Sequence, residues 1–164
     1  MKITVDYRNI VKIIVISSSL GIIFNSFSSK GIKVIREPDK IVASGSNDYS
    51  IVVSDGIEIK AIESETTYKH FLSNDFLFVD SRDQWDFNEG HIKGAINIPE
   101  FSFEPDNAEL TKIDKSQKLI IYCEGNDCDV SKRLAKELIK LGYSNVYIDL
   151  GGWMEWVTLG FPIE

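Results

Sequence analysis

The chain predicts an α/β domain with a mainly parallel sheet, preceded by a separate apolar segment. Three observations predict it. Two short, continuous apolar runs, "FLFVD" (Phe76–Asp80) and "LIIYC" (Leu119–Cys123), have the composition of strands buried on both faces. A helix-period stripe of Val130, Leu134, Leu138 and Leu141 follows the second run. Strand-type and helix-type stretches alternate to the last residue, as in βαβ units.

The elements follow in order. "IEIKAI" (Ile57–Ile62) alternates apolar and polar residues, as an outer strand does. Ser64 reads as the N-cap of a short helix carrying Thr67, Phe71 and Leu72. After the Phe76–Asp80 strand, Asp83–Phe87 suits a helical turn, which Gly90 and Gly94 end; "AINIP" is a short strand. The helix after Leu119–Cys123 stops at Gly142, a natural C-cap. "NVYIDL" (Asn145–Leu150) is the final strand, and "GGWMEWVTLGF" turns into a closing helix.

Residues 1–36 are a different object. "IVKIIVISSSLGIIFNSF" (Ile10–Phe27) would span roughly 27 Å as a helix, against about 30 Å of bilayer hydrocarbon. Its one charge, Lys12, lies near the start, where it can snorkel. A single-pass membrane anchor through residues 10–27 is the favoured reading. A cleaved signal peptide and a buried element of the domain stand beside it. Basic residues flank both ends, so orientation is balanced, with a lean toward a body outside the cytoplasm. Residues 37–56, rich in Pro, Gly, Ser, Asn and Asp, read as a linker with a small strand at Ser50–Val53. The domain itself is expected over 57–164.

Composition narrows the function classes. Apolar content of 43% and charged content of 26% are those of a globular chain. Residues 1–36 carry six basic side chains against Asp6, whereas the rest carries 12 basic against 24 acidic. A body that acidic repels phosphates, so no nucleic-acid partner is expected. Two cysteines in one loop are neither a disulfide framework nor a zinc site, and no metal or other cofactor is expected.

Cys123 stands where a parallel strand ends and a Gly-Asn loop leads to a helix start. In open α/β sheets chemistry collects beyond the carboxyl ends of the strands. Unpaired amides at a helix start favour negative charge and stabilise a thiolate. A reactive cysteine is therefore expected there, rather than a thiol buried as a small hydrophobe.

"FVDSRDQWDFNEGHIKGAINIP" (Phe78–Pro99), Cys123 at the end of "LIIYC", and "GYSNVYIDLGGWMEW" (Gly142–Trp156) together resemble the rhodanese domain. The resemblance covers roughly Ile57–Glu164. It implies a five-stranded parallel sheet flanked by helices. It also implies a sulfurtransferase whose catalytic cysteine, Cys123, holds sulfane sulfur as a persulfide and passes it from a sulfur donor to a thiol acceptor. By position, Glu124, Gly125, Asn126, Asp127, Cys128 and Asp129 form the active-site loop. Asp80 and Arg82 are expected to pair and brace that loop, and His91 to fix a turn beside it, with acid/base work as the other possibility.

The chain departs from the family pattern in its loop. Rhodaneses that use thiosulfate often carry Arg or Lys there; this loop carries Glu124, Asp127 and Asp129 and looks about two residues longer. A neutral persulfide, a polysulfide or a protein partner suits it better as donor than thiosulfate. Cysteine phosphatases share the loop logic but place Arg six residues after their cysteine, where this chain has Asp129. Cys128 has two readings: a resolving thiol that forms a disulfide with Cys123, or a loop cysteine with no redox role. A thiol–disulfide redox protein and a non-catalytic binding module at a membrane are the alternatives to sulfur transfer.

Overall fold

The computed structural model describes residues 7–27, 40–42, 49–125 and 129–164. The chain divides into two units, Met1–Glu37 and Pro38–Glu164.

In the first unit, Tyr7–Phe27 forms helix α1, 21 residues with none buried. It is long and apolar enough to cross a membrane, a test that a leader sequence near an N-terminus also passes. Ser17 returns its hydroxyl to the Ile13 carbonyl at 2.7 Å, which satisfies a polar group inside an apolar helix.

The second unit is built on one seven-stranded sheet: β1 (Lys40–Val42), β2 (Ser50–Ser54), β3 (Ile57–Ile62), β4 (Leu77–Asp80), β5 (Ile96–Asn97), β6 (Lys118–Tyr122) and β7 (Asn145–Asp149). Their order is β1-β2-β3-β7-β6-β4-β5. The last five in that order pair in parallel, which is the expected five-stranded parallel core. β1 and β2 pair antiparallel and extend it.

Within 37–56 the small strand expected at Ser50–Val53 is β2, and Lys40–Val42 adds a strand, β1, that was not expected, so the sheet begins before Ile57. The physical reason is the Asp55-Gly56 turn. Both residues have positive φ, 50° and 80°, and Ser54 pairs with Ile57 across a two-residue loop. Paired positive-φ residues make a turn whose twist matches a hairpin, and Asp-Gly is a preferred sequence for it. The β-branched Ile51–Val53 run then continues the ladder along β3.

Among the described residues of this unit, four α-helices accompany the sheet: α2 (Ser64–Ser73), α3 (Gln84–Glu89), α4 (Asp129–Lys140) and α5 (Gly152–Thr158). Ser64, expected as the cap of α2, lies one residue inside the helix; Glu63 holds the cap position. Ser64 is buried because its hydroxyl turns toward Asp149 instead. Asp83 caps α3, accepting from the Trp85 and Asp86 amides. α4 ends at Gly142, φ 93°. There the Gly142 and Tyr143 amides donate to the Ile139 and Leu138 carbonyls, a Schellman closure that needs a residue able to take positive φ.

Alternation along β6 divides the core into two layers. Leu119 and Ile121 face one side with Leu134 and Leu138 of α4. Ile120 and Tyr122 face the other with Ile62, Phe78 and Trp156. All of these are buried. Covering both faces leaves the carboxyl ends of β4, β6 and β7 as the open edge where side chains and loop amides can meet a ligand.

Candidate active site

Cys123 follows the last residue of β6 and is 2% exposed. The strand exit is tied from the β4 side: the Ser81 amide and hydroxyl donate to the Tyr122 carbonyl at 3.0 and 2.7 Å. It is tied from the α5 side by the Trp153 amide, which donates to the Cys123 carbonyl at 2.8 Å, and by the Met154 amide, which donates to the Glu124 carbonyl at 2.8 Å. Gly152, φ +63°, makes the close approach possible. A Cβ there would lie 2.6 Å from the Cys123 carbonyl oxygen and 2.9 Å from the Gly125 amide nitrogen.

The Cys123 sulfur lies 3.4 Å from the Ser131 hydroxyl, in the first turn of α4. That hydroxyl is placed to donate to a sulfur anion, beside the positive end of a twelve-residue helix. Cys123 is disulfide-bonded. The chain's other cysteine, Cys128, lies with Asn126 and Asp127 outside the described residues, so the expected cradle is described only at Glu124, Gly125 and Asp129.

Asp80 and Arg82 come together as a fork. The Asp80 carboxylate accepts from the Arg82 amide at 2.9 Å, from Nε at 3.1 and 3.2 Å, and from Nη2 at 2.7 Å. Nη2 also donates to the Gly90 carbonyl at 2.7 Å, and Nη1 lies 3.4 Å from Glu124 Oε2. The guanidinium stacks 4.7 Å over the Trp153 ring. Burial alone lowers the Arg82 pKa, but the Asp80 bonds and charge more than offset it, so the side chain is a permanent cation. Asn97 closes the corner from β5, donating to the Asp80 and Arg82 carbonyls at 3.1 and 3.0 Å. The pair therefore touches both the loop start, through Glu124, and the turn that holds it, through Trp153.

His91 is elsewhere. Its ring stacks on Phe87 with centroids 3.7 Å apart, and Nδ1 lies 2.9 Å from the Phe87 carbonyl. Its backbone exchanges two hydrogen bonds with Glu164. It fixes a turn and the C-terminal residue and does not line the cleft.

The cleft over Cys123 has a volume of ≈ 290 Å³ and is lined by Ser81, Arg82, Asp83, Asp86, Glu100, Phe101, Glu124, Val130 and Arg133 besides the cysteine. Four carboxylates face two arginines, and both arginines are engaged. Arg133 forks onto Glu100 at 2.8 and 2.9 Å, and Arg82 is held as above. The mouth is acidic, with Phe101 exposed at its edge.

Ser131, the Trp153 stack on Arg82 and a polar cluster behind the loop were not expected from the sequence. Asp149, at the end of β7, is 3% exposed. It accepts from Thr67 at 2.6 Å, from Ser64 at 3.2 Å and from the Gly152 amide at 2.7 Å. Burial pushes its carboxyl up to about 6 against the downward pull of those bonds. The one signal for the cluster was an acid inside the apolar run "NVYIDL".

Comparison with known proteins bears on the family and the fold. Residues 63–159 match the model of the Rhodanese-like domain family. Over 119 residues the chain is 31% identical to a tRNA uridine(34) hydroxylase of Hamiltonella defensa, covering 65% of this chain and 33% of that protein. Over 139 residues it is 31% identical to one of Erwinia tasmaniensis, covering 79% and 38%. The chain thus spans about a third of the length of these curated relatives. The crystal structure of the Alr3790 protein from Anabaena superposes with a TM-score of 0.54 at 26% identity, covering 62% of this chain and 78% of that one. That of the BH2092 protein from Bacillus halodurans has a TM-score of 0.58 at 24% identity, covering 63% and 75%, and shows the fold alone.

Proposed function

The chain belongs to the rhodanese-like domain family, and from that premise we propose that it transfers sulfane sulfur through a persulfide on Cys123. The observation that carries the proposal is the placement of the Cys123 sulfur: at a strand end, under a cleft, 3.4 Å from a hydroxyl in the first turn of α4. The Cys123 thiolate attacks the outer sulfur of a donor persulfide. A bond forms from Sγ to that sulfur, and the donor's S–S bond breaks, releasing the donor as a thiolate. An acceptor thiolate then takes the outer sulfur, and Cys123 leaves as thiolate. Ser131 donates to the negative sulfur in both directions.

The acidic mouth bears on the donor. Asp83, Asp86, Glu100 and Glu124 outnumber two arginines already held by carboxylates. A dianion such as thiosulfate is repelled on approach; a neutral persulfide, a polysulfide in an uncharged, capped form or a protein-borne persulfide is not. Helix α1 is proposed to anchor the domain to a membrane, with the body outside the cytoplasm.

One observation favours a second reading. Cys123 is disulfide-bonded, which suits a thiol–disulfide cycle with Cys128. The two readings connect: a Cys128 thiolate attacking the inner sulfur of the persulfide gives the disulfide and releases hydrosulfide. A dithiol reductant then restores both thiols. The curated relatives bear a different activity in their names, tRNA uridine(34) hydroxylation, and the acidic cleft weighs against a polyanionic substrate here.

The test uses the reduced full-length chain in detergent with a low-molecular-weight persulfide and an acceptor thiol. Transfer should require Cys123 and survive Cys128→Ser. Transfer that survives Cys123→Ser overturns the proposal. A hydroxylated uridine appearing in tRNA incubated with the chain would assign it the relatives' chemistry.

A further inference from the structure

Asp149 is an unusual residue for its place. It is the last residue of a parallel strand, buried, one residue past the final register pair of β7 with β6, and it is not part of the cleft. A carboxylate in such a position is costly unless its oxygens are saturated with donors. Here they are. Oδ1 takes the Thr67 hydroxyl at 2.6 Å, Oδ2 takes the Gly152 amide at 2.7 Å, and the Ser64 hydroxyl lies 3.2 Å from both.

The Gly152 amide is the consequential partner. It belongs to the turn whose next two amides, Trp153 and Met154, hold the Cys123 and Glu124 carbonyls. Gly152 itself is packed so tightly on the loop that a Cβ would strike the Cys123 carbonyl. A shift of this turn therefore moves the backbone that carries the reactive sulfur. Resting on the reading of Cys123 as the reacting group, we propose that Asp149 is a positioning residue: its buried carboxylate fixes the Gly151–Met154 turn, and through that turn sets the place and reactivity of Cys123.

The surroundings give the direction. From α2 come the hydroxyls of Ser64 and Thr67; from β3 comes Ile62, the register partner; from α5 come the Gly152 amide and the Glu155 carboxylate. Glu155 Oε2 is 3.2 Å from the same Ser64 hydroxyl, so one proton serves two acids, and Glu155 pushes the Asp149 carboxyl further up. An ionised carboxylate makes the stronger, charge-assisted bond to Gly152, and protonation weakens it. The ionised form grips the turn; the neutral form loosens it.

The test follows the reduced full-length chain by amide NMR, with iodoacetamide labelling of Cys123 read by peptide mass. The Gly152, Cys123 and Glu124 amides should titrate together with a midpoint of about 6. Labelling of Cys123, corrected for ionisation of the thiol itself, should rise through the same midpoint. Asp149→Asn should abolish both steps, and Glu155→Gln should move the shared midpoint to lower pH. The proposal is overturned if Gly152 titrates while Cys123 and Glu124 do not, if no shared midpoint exists, or if the steps persist in Asp149→Asn. Sulfur transfer that fails at every pH beside an intact shared midpoint would sink the sulfurtransferase reading and leave this one standing.

Discussion

The Asp80 carboxylate and the Arg82 guanidinium meet as a buried pair at the end of β4, Oδ2 to Nη2 2.7 Å, with side-chain exposures of 0% and 5%. A buried pair is no proof of high stability, but removing one partner strands the other charge away from water. Arg82→Met should cost about 3–5 kcal/mol in urea unfolding. Arg82→Lys should recover only part of this, because an ammonium cannot fork onto Asp80 while also reaching the Gly90 carbonyl. The double change Asp80→Leu with Arg82→Met should be milder than Arg82→Met alone. Additive losses in the double variant would contradict the pairing.

Gly152→Ala should damage chemistry more than stability. Positive φ costs a non-glycine residue roughly 1–2 kcal/mol, and the methyl group must also displace the Cys123 carbonyl or the Gly125 amide. A thermal melt should show a fold retained at reduced stability. Sulfur transfer should fall by more than tenfold, toward the roughly 100-fold that a misplacement of about 1 Å can cost. Full activity in this variant would mean that the turn does not set the loop.

Stability should carry the mark of Asp149. Its folded pKa, about 6, is raised above the ordinary 3.8. A raised value contributes stability that is fully present below the unfolded pKa and is lost as pH rises through the folded one. The wild-type chain should therefore lose roughly 2–3 kcal/mol of this contribution between about pH 4 and pH 8. Asp149→Asn should remove that slope and be the more stable protein at pH 8 in denaturant melts. A variant less stable than wild type at pH 8, with the slope intact, would contradict the assignment.

Charge at the cleft should select the donor. Glu124→Gln removes a carboxylate beside Arg82 Nη1 and should raise the rate with thiosulfate while leaving a neutral persulfide nearly unchanged. The gain should shrink with added salt, because exposed charges are screened over about 10 Å at 0.1 M. Equal effects on both donors would point to geometry rather than charge.

Much of the domain could be read without the structure because burial on both faces leaves a plain record. "FLFVD" and "LIIYC" are strands β4 and β6 to within a residue, and the Leu134–Leu138 stripe packs where its period placed it. The Gly142 stop needed only its φ. β2 was expected as the small strand Ser50–Val53, whereas β1 escaped because it lies at the sheet edge, in a stretch whose composition resembles a linker. The Asp55-Gly56 hairpin signal was present in the sequence but sat inside that stretch. The strand-end place of Cys123 and the pairing of Asp80 with Arg82 were legible from motif and position. Ser131, Trp153 and Asp149 were not, since each acts through a contact made by a distant segment: Ser131 from α4, Trp153 across to Arg82, Asp149 to residues 64, 67 and 152.

Sulfur carried on Cys123 would show in the intact mass of the protein. The reduced full-length chain would be exposed separately to thiosulfate and to a polysulfide, beside Cys123→Ser and Cys128→Ser. A persulfide on Cys123 means a gain of one sulfur with polysulfide, little with thiosulfate, reversed by a reductant, kept in Cys128→Ser and absent in Cys123→Ser. A loss of two hydrogens that needs both cysteines, with no sulfur gained from either donor, would contradict it and make the disulfide cycle the function.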